Sequence, residues 1–302
     1  MLFFHPKKSY GQNALADASY VRKIVEAAQI LRGETIIEVG PGTGILTQAL
    51  ADAGANVVAV EADADLIPAL REKFGDRVEI VEGDILKMDV ESVFSVLTSP
   101  HPSLAGGETK KKTHVPLPRG TTGGVPAAYR LIANIPYNIT SELIQKFLTA
   151  PEPPAELVLM VQREVADRIT AKPGDMGLLS VACQLYAECK RLFAVPAGAF
   201  RPTPKVDSAV VSLRLRKHPA LGEQNPEKII KLAKAGFSSP RKQLQGNLSH
   251  AGFGTRESVQ DALISVGLNP LIRAEELSVE QWAVLAMSLR GTSEASDEAI
   301  LP

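Results

Sequence analysis

Along the first two thirds of the chain, short β-branched runs alternate with amphipathic segments. The runs are TIIEV (35–39), VVAVE (57–61), VEIVE (78–82), YRLIAN (129–134) and LVLMVQ (157–162). Each has strand length and is bounded by turn residues. Between them lie helical patterns, one from about Ile45, one through Leu66 and Leu70, and one from Ser141. An earlier helix is predicted over 15–31, where Leu15, Val21, Ile24, Val25, Ala28 and Leu31 recur at helical spacing and Gly33 closes the pattern. This alternation predicts βαβ units and a parallel sheet covered on both faces.

The rhythm then changes. CKRLFAV (189–195) and DSAVVSLRL (207–215) read as strands joined by a Pro-rich loop with no helix between them, which fits an antiparallel hairpin at the sheet edge. From Pro226 onward only helical patterns remain, at about 226–236, 240–249, 255–266 and 278–289, the last opened by a capping box of Ser278 and Gln281. The expected organisation is an α/β domain over 1–216 and a small helical domain over 217–302, with a frayed tail from about 291. Residues 98–128 are rich in Gly, Pro and Thr without a periodic apolar face, and are expected to be a surface insertion between two strands.

A chain of 302 residues with 45% hydrophobic content can bury a large core. It contains no run of ~18 apolar residues, and its opening MLFFHPKKSYGQ lacks an apolar stretch of signal length, so a cytoplasmic protein without a membrane span is expected. Cys183 and Cys189 sit in apolar surroundings without metal-site spacing; they read as buried small hydrophobes, and no metal is expected. The net charge of −1 argues against a globally basic nucleic-acid binder, but a local patch can hide in that total. Lys7-Lys8, Lys110-Lys111-Lys112 and Arg241-Lys242 are the local basic runs.

The first predicted strand runs directly into EVGPGTGILTQAL, whose Gly40, Gly42 and Gly44 form a tight turn before a helix. Such glycines let backbone N–H groups approach a ligand outside the carboxyl end of the strand. Glu61 ends the second strand about twenty residues on, where an acid accepts from both ribose hydroxyls. Gly83-Asp84 ends the third, where a carboxylate accepts from an exocyclic amine such as that of adenine. Three polar strand ends describe an adenosine-shaped cleft. Ile45 stands where a dinucleotide fingerprint has its last glycine, which favours S-adenosylmethionine over NAD, and Glu38 could face the sulfonium or the methionine amine.

At the fourth strand end the chain reads Asn134-Ile135-Pro136-Tyr137. The N6 amine of adenine is a poor nucleophile whose lone pair is delocalised, and hydrogen-bond acceptors help it most. The Asn134 oxygen and the carbonyl of Ile135 or Pro136 can take its two N–H bonds and aim the lone pair at a methyl carbon. Pro136 fixes the backbone, and Tyr137 offers a ring for the base to stack on.

At these residues the chain resembles the ribosomal RNA adenine dimethyltransferases, which make N6,N6-dimethyladenosine at two adjacent adenines near the 3′ end of small-subunit rRNA. The similar motifs run in order over almost the whole length: KKSYGQNAL (7–15), EVGPGTGILT (38–47), VVAVEAD (57–63), EGDIL (82–86), NIPYNITS (134–141), MVQREVADRI (160–169) and FRPTPKVDSAVVSL (200–213). The resemblance implies a Rossmann-like class I methyltransferase fold, α/β, with a mostly parallel seven-stranded sheet, an antiparallel edge hairpin and a small all-α C-terminal domain. It implies that Gln12, Asn13 and Leu15 line the cofactor pocket with Glu38, Gly40, Gly42 and Gly44. Glu61 with Ala62 would hold the ribose, Asp84 with Ile85 the adenine of S-adenosylmethionine, and Asn134 with Tyr137 the target base. Phe200 would be a second stacking surface. Lys205, Arg241 and Lys242 are expected to touch RNA phosphates.

The implied partner is small-subunit rRNA within a pre-ribosomal 30S particle, met by a monomer. Ala14 stands where the family usually has Phe, and the 98–128 insertion is outside its usual pattern. Rival readings are a large-subunit rRNA adenine methyltransferase of the antibiotic-resistance type, a ribosome-assembly factor that acts mainly by binding, and a DNA adenine methyltransferase that flips its target from a duplex. The helical segment with FSSPRKQLQGNL (237–248) resembles the small-subunit family better than the large-subunit one.

Overall fold

The computed structural model describes residues 14–95, 129–216 and 225–289. Gln12, Asn13, both lysine runs before residue 113, the 98–128 insertion and the tail from 291 lie outside them. By internal contacts the described chain divides into two units. One comprises residues up to Ala166 together with Lys190–Leu215; the other comprises Asp167–Cys189 and residues from Arg216 on. The expected division was a single cut after 216, whereas the segment 167–189 groups with the later helices.

In the first unit, β1 (Ala14–Leu15), α1 (Ala18–Ala28), β2 (Thr35–Val39), α2 (Ile45–Asp52), β3 (Asn56–Glu61), α3 (Ile67–Phe74), β4 (Val78–Glu82) and α4 (Val90–Ser95) come first. After 128 follow β5 (Tyr129–Asn134), α5 (Thr140–Leu148), β6 (Glu156–Gln162) and α6 (Arg163–Ile169), the last three residues of which group with the second unit. Every β-branched run of the sequence is a strand within a residue or two of its expected bounds. The helix predicted over 15–31 is shorter, because the Asp17 side chain accepts from the Ser19 N–H and caps it. Leu15 belongs instead to β1, two residues paired antiparallel with β8 (Phe200–Arg201).

The sheet order is β4-β3-β2-β5-β6-β9-β7, with β7 at Ala187–Val195 and β9 at Ser208–Leu215. Strands β4 to β6 are parallel, and β9 lies antiparallel to β6. The chain first steps outward from β2 to β4 and then returns to the other side of β2 with β5, so strand order reverses between β2 and β5. An open α/β sheet leaves a crevice at such a reversal, outside the carboxyl strand ends. Here the pairing of β2 with β5 runs from Thr35 and Tyr129 to Ile37 and Leu131 and stops short of both strands' carboxyl ends.

At the amino ends of the central strands, opposite the crevice, the sheet is closed by charge. Arg130 of β5 donates to the Ala28 carbonyl at 2.7 Å and pairs with Glu34 at 3.1 Å and Glu156 at 2.7 Å, with only 12% of its side chain exposed. A buried pair is costly to break from one side, so this network ties α1, β2, β5 and β6 together at the end away from the crevice.

The second unit packs α7 (Leu178–Tyr186), α8 (Pro226–Gly236), α9 (Leu244–His250), α10 (Arg256–Ser265) and α11 (Val279–Ser288) around a fully buried Trp282. Leu232, Leu248, Leu263 and Leu285 share that core. The Ser278 hydroxyl accepts from the Gln281 N–H at 3.2 Å, and Gln281 accepts from the Ser278 N–H at 2.8 Å, the capping box expected there. No described helix is long and apolar enough to cross a membrane. Cys183 is buried and Cys189 partly so, both thiols are free, and burial pushes both up, Cys189 to about 12.

Candidate active site

The four strand ends at the crevice each carry a polar residue. Glu38 lies at the end of β2, Glu61 ends β3, Asp84 follows β4, and Asn134 ends β5. They border one cleft of about 290 Å³, which Leu15, Gly40, Gly42, Ala62, Ile85, Pro136 and Tyr137 also line. Strand-end spacing had pointed to Glu38, Glu61, Asp84 and Asn134, and the family resemblance to Leu15, Ala62 and Ile85. A cleft of that size at a strand-order reversal suits a small nucleoside-containing ligand.

The glycine turn is held from two sides. The Glu61 carboxylate accepts from the Gly42 N–H at 3.1 Å and from the Asp63 N–H at 2.9 Å. From behind, the Lys73 ammonium donates to the carbonyls of Thr43 at 2.9 Å and Gly44 at 3.2 Å. Gly44 opens α2 with φ of 72°, and a Cβ there would stand 2.7 Å from the Phe74 ring. Gly44 therefore does not line the cleft as expected. It allows α2 to start against α3, which is a packing role.

Two buried acids lie beside this turn. Glu61 is 4% exposed, and burial raises it above the usual carboxylate range, opposed by its backbone hydrogen bonds. Glu38 is 1% exposed, and burial pushes it up to about 8, with the Glu61 charge adding to the shift. Thr47 lies near enough to pull Glu38 the other way. Yet neither Glu38 Oε2 nor Thr47 Oγ1 makes a well-formed hydrogen bond among the described residues. An orphaned buried carboxylate oxygen at a cleft wall is costly unless something cationic or hydrogen-bonding meets it there.

That shift has a pH signature in the ligand-free protein. The folded chain keeps a proton on Glu38 that the unfolded chain loses above 4.5. Stability from this group is thus complete below 4.5 and is lost as pH rises through about 8. Glu38→Gln should remain neutral throughout. Denaturant midpoints at pH 5 and pH 8.5 are expected to show the parent losing stability relative to the variant over that window; a constant difference would contradict the protonated Glu38.

At the far wall, Asp84 accepts from the Leu86 N–H at 3.1 Å and pairs with Lys87 at 3.3 Å. The Ile135 N–H bonds the Met160 carbonyl at 3.3 Å, extending β5 past Asn134. The Pro136 carbonyl accepts from the Ile139 N–H at 3.2 Å in a tight turn. Of the two carbonyls considered as acceptors for an adenine amine, that of Pro136 already accepts one backbone hydrogen bond. Tyr137 is half-buried, and burial raises its phenol; the hydroxyl lies 2.7 Å from that of Ser208.

Phe200 requires a correction. Expected as a second stacking surface, it is completely buried in β8, packed with Leu15 of β1 and Val195 in the core of the first unit. In this structure its ring is not exposed, and Phe200 is not among the residues that line the cleft. Lys205 is exposed in the first unit and lies outside the cleft lining; Arg241 and Lys242 are exposed in the second. Sequence reasoning passed over Pro41, Thr43, Leu86 and Asn138, which also line the cleft. All four flank residues that were singled out, and motif adjacency was the available signal. Among the described residues no cluster of three metal-ligating side chains occurs.

With this geometry in place, the comparisons with known proteins are direct. A family model described as Ribosomal RNA adenine dimethylase matches residues 3–290. The chain is 37% identical over 289 residues to ribosomal RNA small subunit methyltransferase A of Moorella thermoacetica, covering 94% of this chain and 93% of that protein. Its counterpart in Enterococcus faecalis is 38% identical, with 95% and 91% covered. Among solved structures, a dimethyladenosine transferase from Plasmodium falciparum is similar in fold with a TM-score of 0.70 at 23% identity, covering 92% of this chain and 98% of that one. The 23S rRNA methyltransferase ErmE gives 0.67 at 28% identity, with 92% and 100% covered.

Proposed function

The chain belongs to the ribosomal RNA adenine dimethylase family, and from that premise we propose what its cleft does. It transfers methyl groups from S-adenosylmethionine to the N6 amines of two adjacent adenines near the 3′ end of small-subunit (16S) rRNA. The product is N6,N6-dimethyladenosine, made during ribosome biogenesis. The observation that carries this reading is one cleft joining an acid at the end of β3 to a neutral amide at the end of β5, with Pro136 and Tyr137 directly after it.

The donor set fits the cofactor. Glu61 is placed for the ribose, Asp84 and Ile85 for the adenine, and the unpartnered Glu38 oxygen for a cationic group on the methionine side. When bound, S-adenosylmethionine supplies a methyl carbon activated by its sulfonium. The chain's own part is positioning: Asn134 and the Ile135 carbonyl accept from the target amine, Tyr137 stacks on the base, and Pro136 holds the two apart at fixed spacing. The amine loses its proton only after attack, so no strong base is needed in the cleft.

The substrate is small-subunit rRNA in a pre-ribosomal 30S particle in the cytoplasm, and the enzyme acts as a monomer. The α/β domain carries the chemistry, and the helical domain adds RNA contacts through Arg241 and Lys242. The decisive assay incubates undermethylated small subunits with enzyme and labelled methyl donor, then analyses nucleosides by mass spectrometry. Dimethyladenosine in small-subunit rRNA is the expected product. Label confined to large-subunit rRNA, or binding without transfer, would replace this reading with one of its rivals.

Lys205, Arg241 and Lys242 are expected to contact phosphates. Each contact contributes roughly 0.7–0.9 to the slope of log affinity against log salt. The triple alanine variant should therefore bind small-subunit RNA with a slope flatter by about 2 to 3. An unchanged slope in a salt titration would remove these three from the RNA surface.

A further inference from the structure

The base-stacking role assigned to Tyr137 needs only a ring, and a phenylalanine would supply one. Its hydroxyl is therefore unaccounted for. That hydroxyl lies 2.7 Å from Ser208 Oγ, and Ser208 is 0% exposed. The serine end of this pair is fully buried while the phenol borders the cleft, so loss of the phenol hydroxyl would leave a buried serine hydroxyl unsatisfied, and loss of the serine would free the ring tip. The pair fixes the phenol tip while Pro136 fixes the backbone end, so ring tilt and rotation are both restrained.

Ser208 is itself held hard. It is the first residue of β9, in register with Gln162 of β6. Its neighbour Asp207 accepts from the Ala197 N–H at 3.1 Å and pairs with Arg163 at 3.3 Å, and the Asp207 carbonyl accepts from the Arg163 N–H at 2.9 Å. The entrance to β9 is thus anchored to the start of α6 and to the loop after β7. A serine oxygen on such an anchor has little freedom to follow the tyrosine if the ring moves.

We propose that Ser208 is a positioning residue for methyl transfer, holding the Tyr137 ring at the tilt that presents the target adenine to Asn134. The inference rests on the functional reading above. It predicts a loss in kcat, because a loose ring still binds RNA but orients the amine less often. Ser208→Ala and Tyr137→Phe should each lower kcat about 5–10-fold, the loss expected for one hydrogen bond. The KM for small subunits and the affinity for S-adenosylmethionine should stay within about twofold.

The double variant should be no slower than either single, since both remove the same interaction. Ser208→Thr, which keeps a hydroxyl at that Cβ, should recover most of kcat. The measurements are steady-state methylation of undermethylated small subunits, calorimetry with the methyl donor, and melting temperature. Parental kcat in Ser208→Ala, additive losses in the double variant, or parallel falls in donor affinity and melting temperature would each overturn the inference. If the parent enzyme itself yields no dimethyladenosine, the functional reading fails first and takes this inference with it.

Discussion

Asn134→Ala should slow adenine methylation on the order of 10²-fold or more, with the loss in kcat and little in folding. The side chain is only partly buried at the end of β5, so its removal opens no core cavity. On the proposed reading, what goes is a hydrogen-bond acceptor for the target amine. In the ground state that amine is planar and a modest donor. As nitrogen turns pyramidal and attacks, its N–H bonds become more acidic, and an acceptor fixed in place stabilises the transition state more than the substrate. Asn134→Asp is not expected to repair the loss. A carboxylate at this position would join Glu38 and Glu61 in one cleft, where it would take up a proton or a cation.

The same geometry bears on the product. After one transfer the amine keeps a single N–H, and the new methyl must occupy the direction of the lost bond. An amide oxygen and a backbone carbonyl lose little when one such bond goes, whereas a buried charge left unpaired would lose much. A second transfer follows, and nucleoside mass spectrometry should show dimethyladenosine as the end point for the parent and slowed formation of both methylated species for Asn134→Ala. Monomethyladenosine as terminal product, or parental rates in the variant, would defeat this account.

The parts of this molecule legible in its sequence are those whose signal is local. Strands β2 to β6 are consecutive apolar residues between turn formers, and the cleft residues Glu38, Glu61, Asp84 and Asn134 each sit at a strand end that such runs locate. Phe200 was misjudged because its environment is set by a two-residue pairing with Leu15, some 185 positions away, which has no periodicity to detect. Helix α7 is apolar on nearly every side (LLSVACQLY), so it shows little helical alternation, and the membership of 167–189 in the helical unit went unseen with it. Lys73 and Ser208 act on the site through contacts that arise only when α3 and β9 are folded against it. Ser208 lies within the motif FRPTPKVDSAVVSL (200–213) and Lys73 lies in none of those quoted, yet sequence order alone reveals neither contact.

Glu61→Ala should weaken S-adenosylmethionine binding ~10–100-fold, the range of one charge-assisted hydrogen bond at roughly 1.5–3 kcal/mol. Two effects combine in that figure. On the proposed reading the carboxylate accepts from the ribose hydroxyls, and it also holds the Gly42 N–H at 3.1 Å, so its loss frees one side of the glycine turn while Lys73 still grips the other. Glu61→Gln separates them. Its amide oxygen can keep one backbone N–H, but its NH₂ group meets the second N–H, of Gly42 or Asp63, donor against donor. An intermediate affinity for Gln would show that turn and ribose both contribute; equality with Ala would assign the effect to the ribose-facing charge. Calorimetry on the RNA-free enzyme makes the comparison, since the ribose end of the cleft is formed by residues of the first unit alone. Unchanged methyl-donor affinity in a folded Glu61→Ala variant, or tight binding of NADH by the parent, would overturn the assignment of this cleft to S-adenosylmethionine.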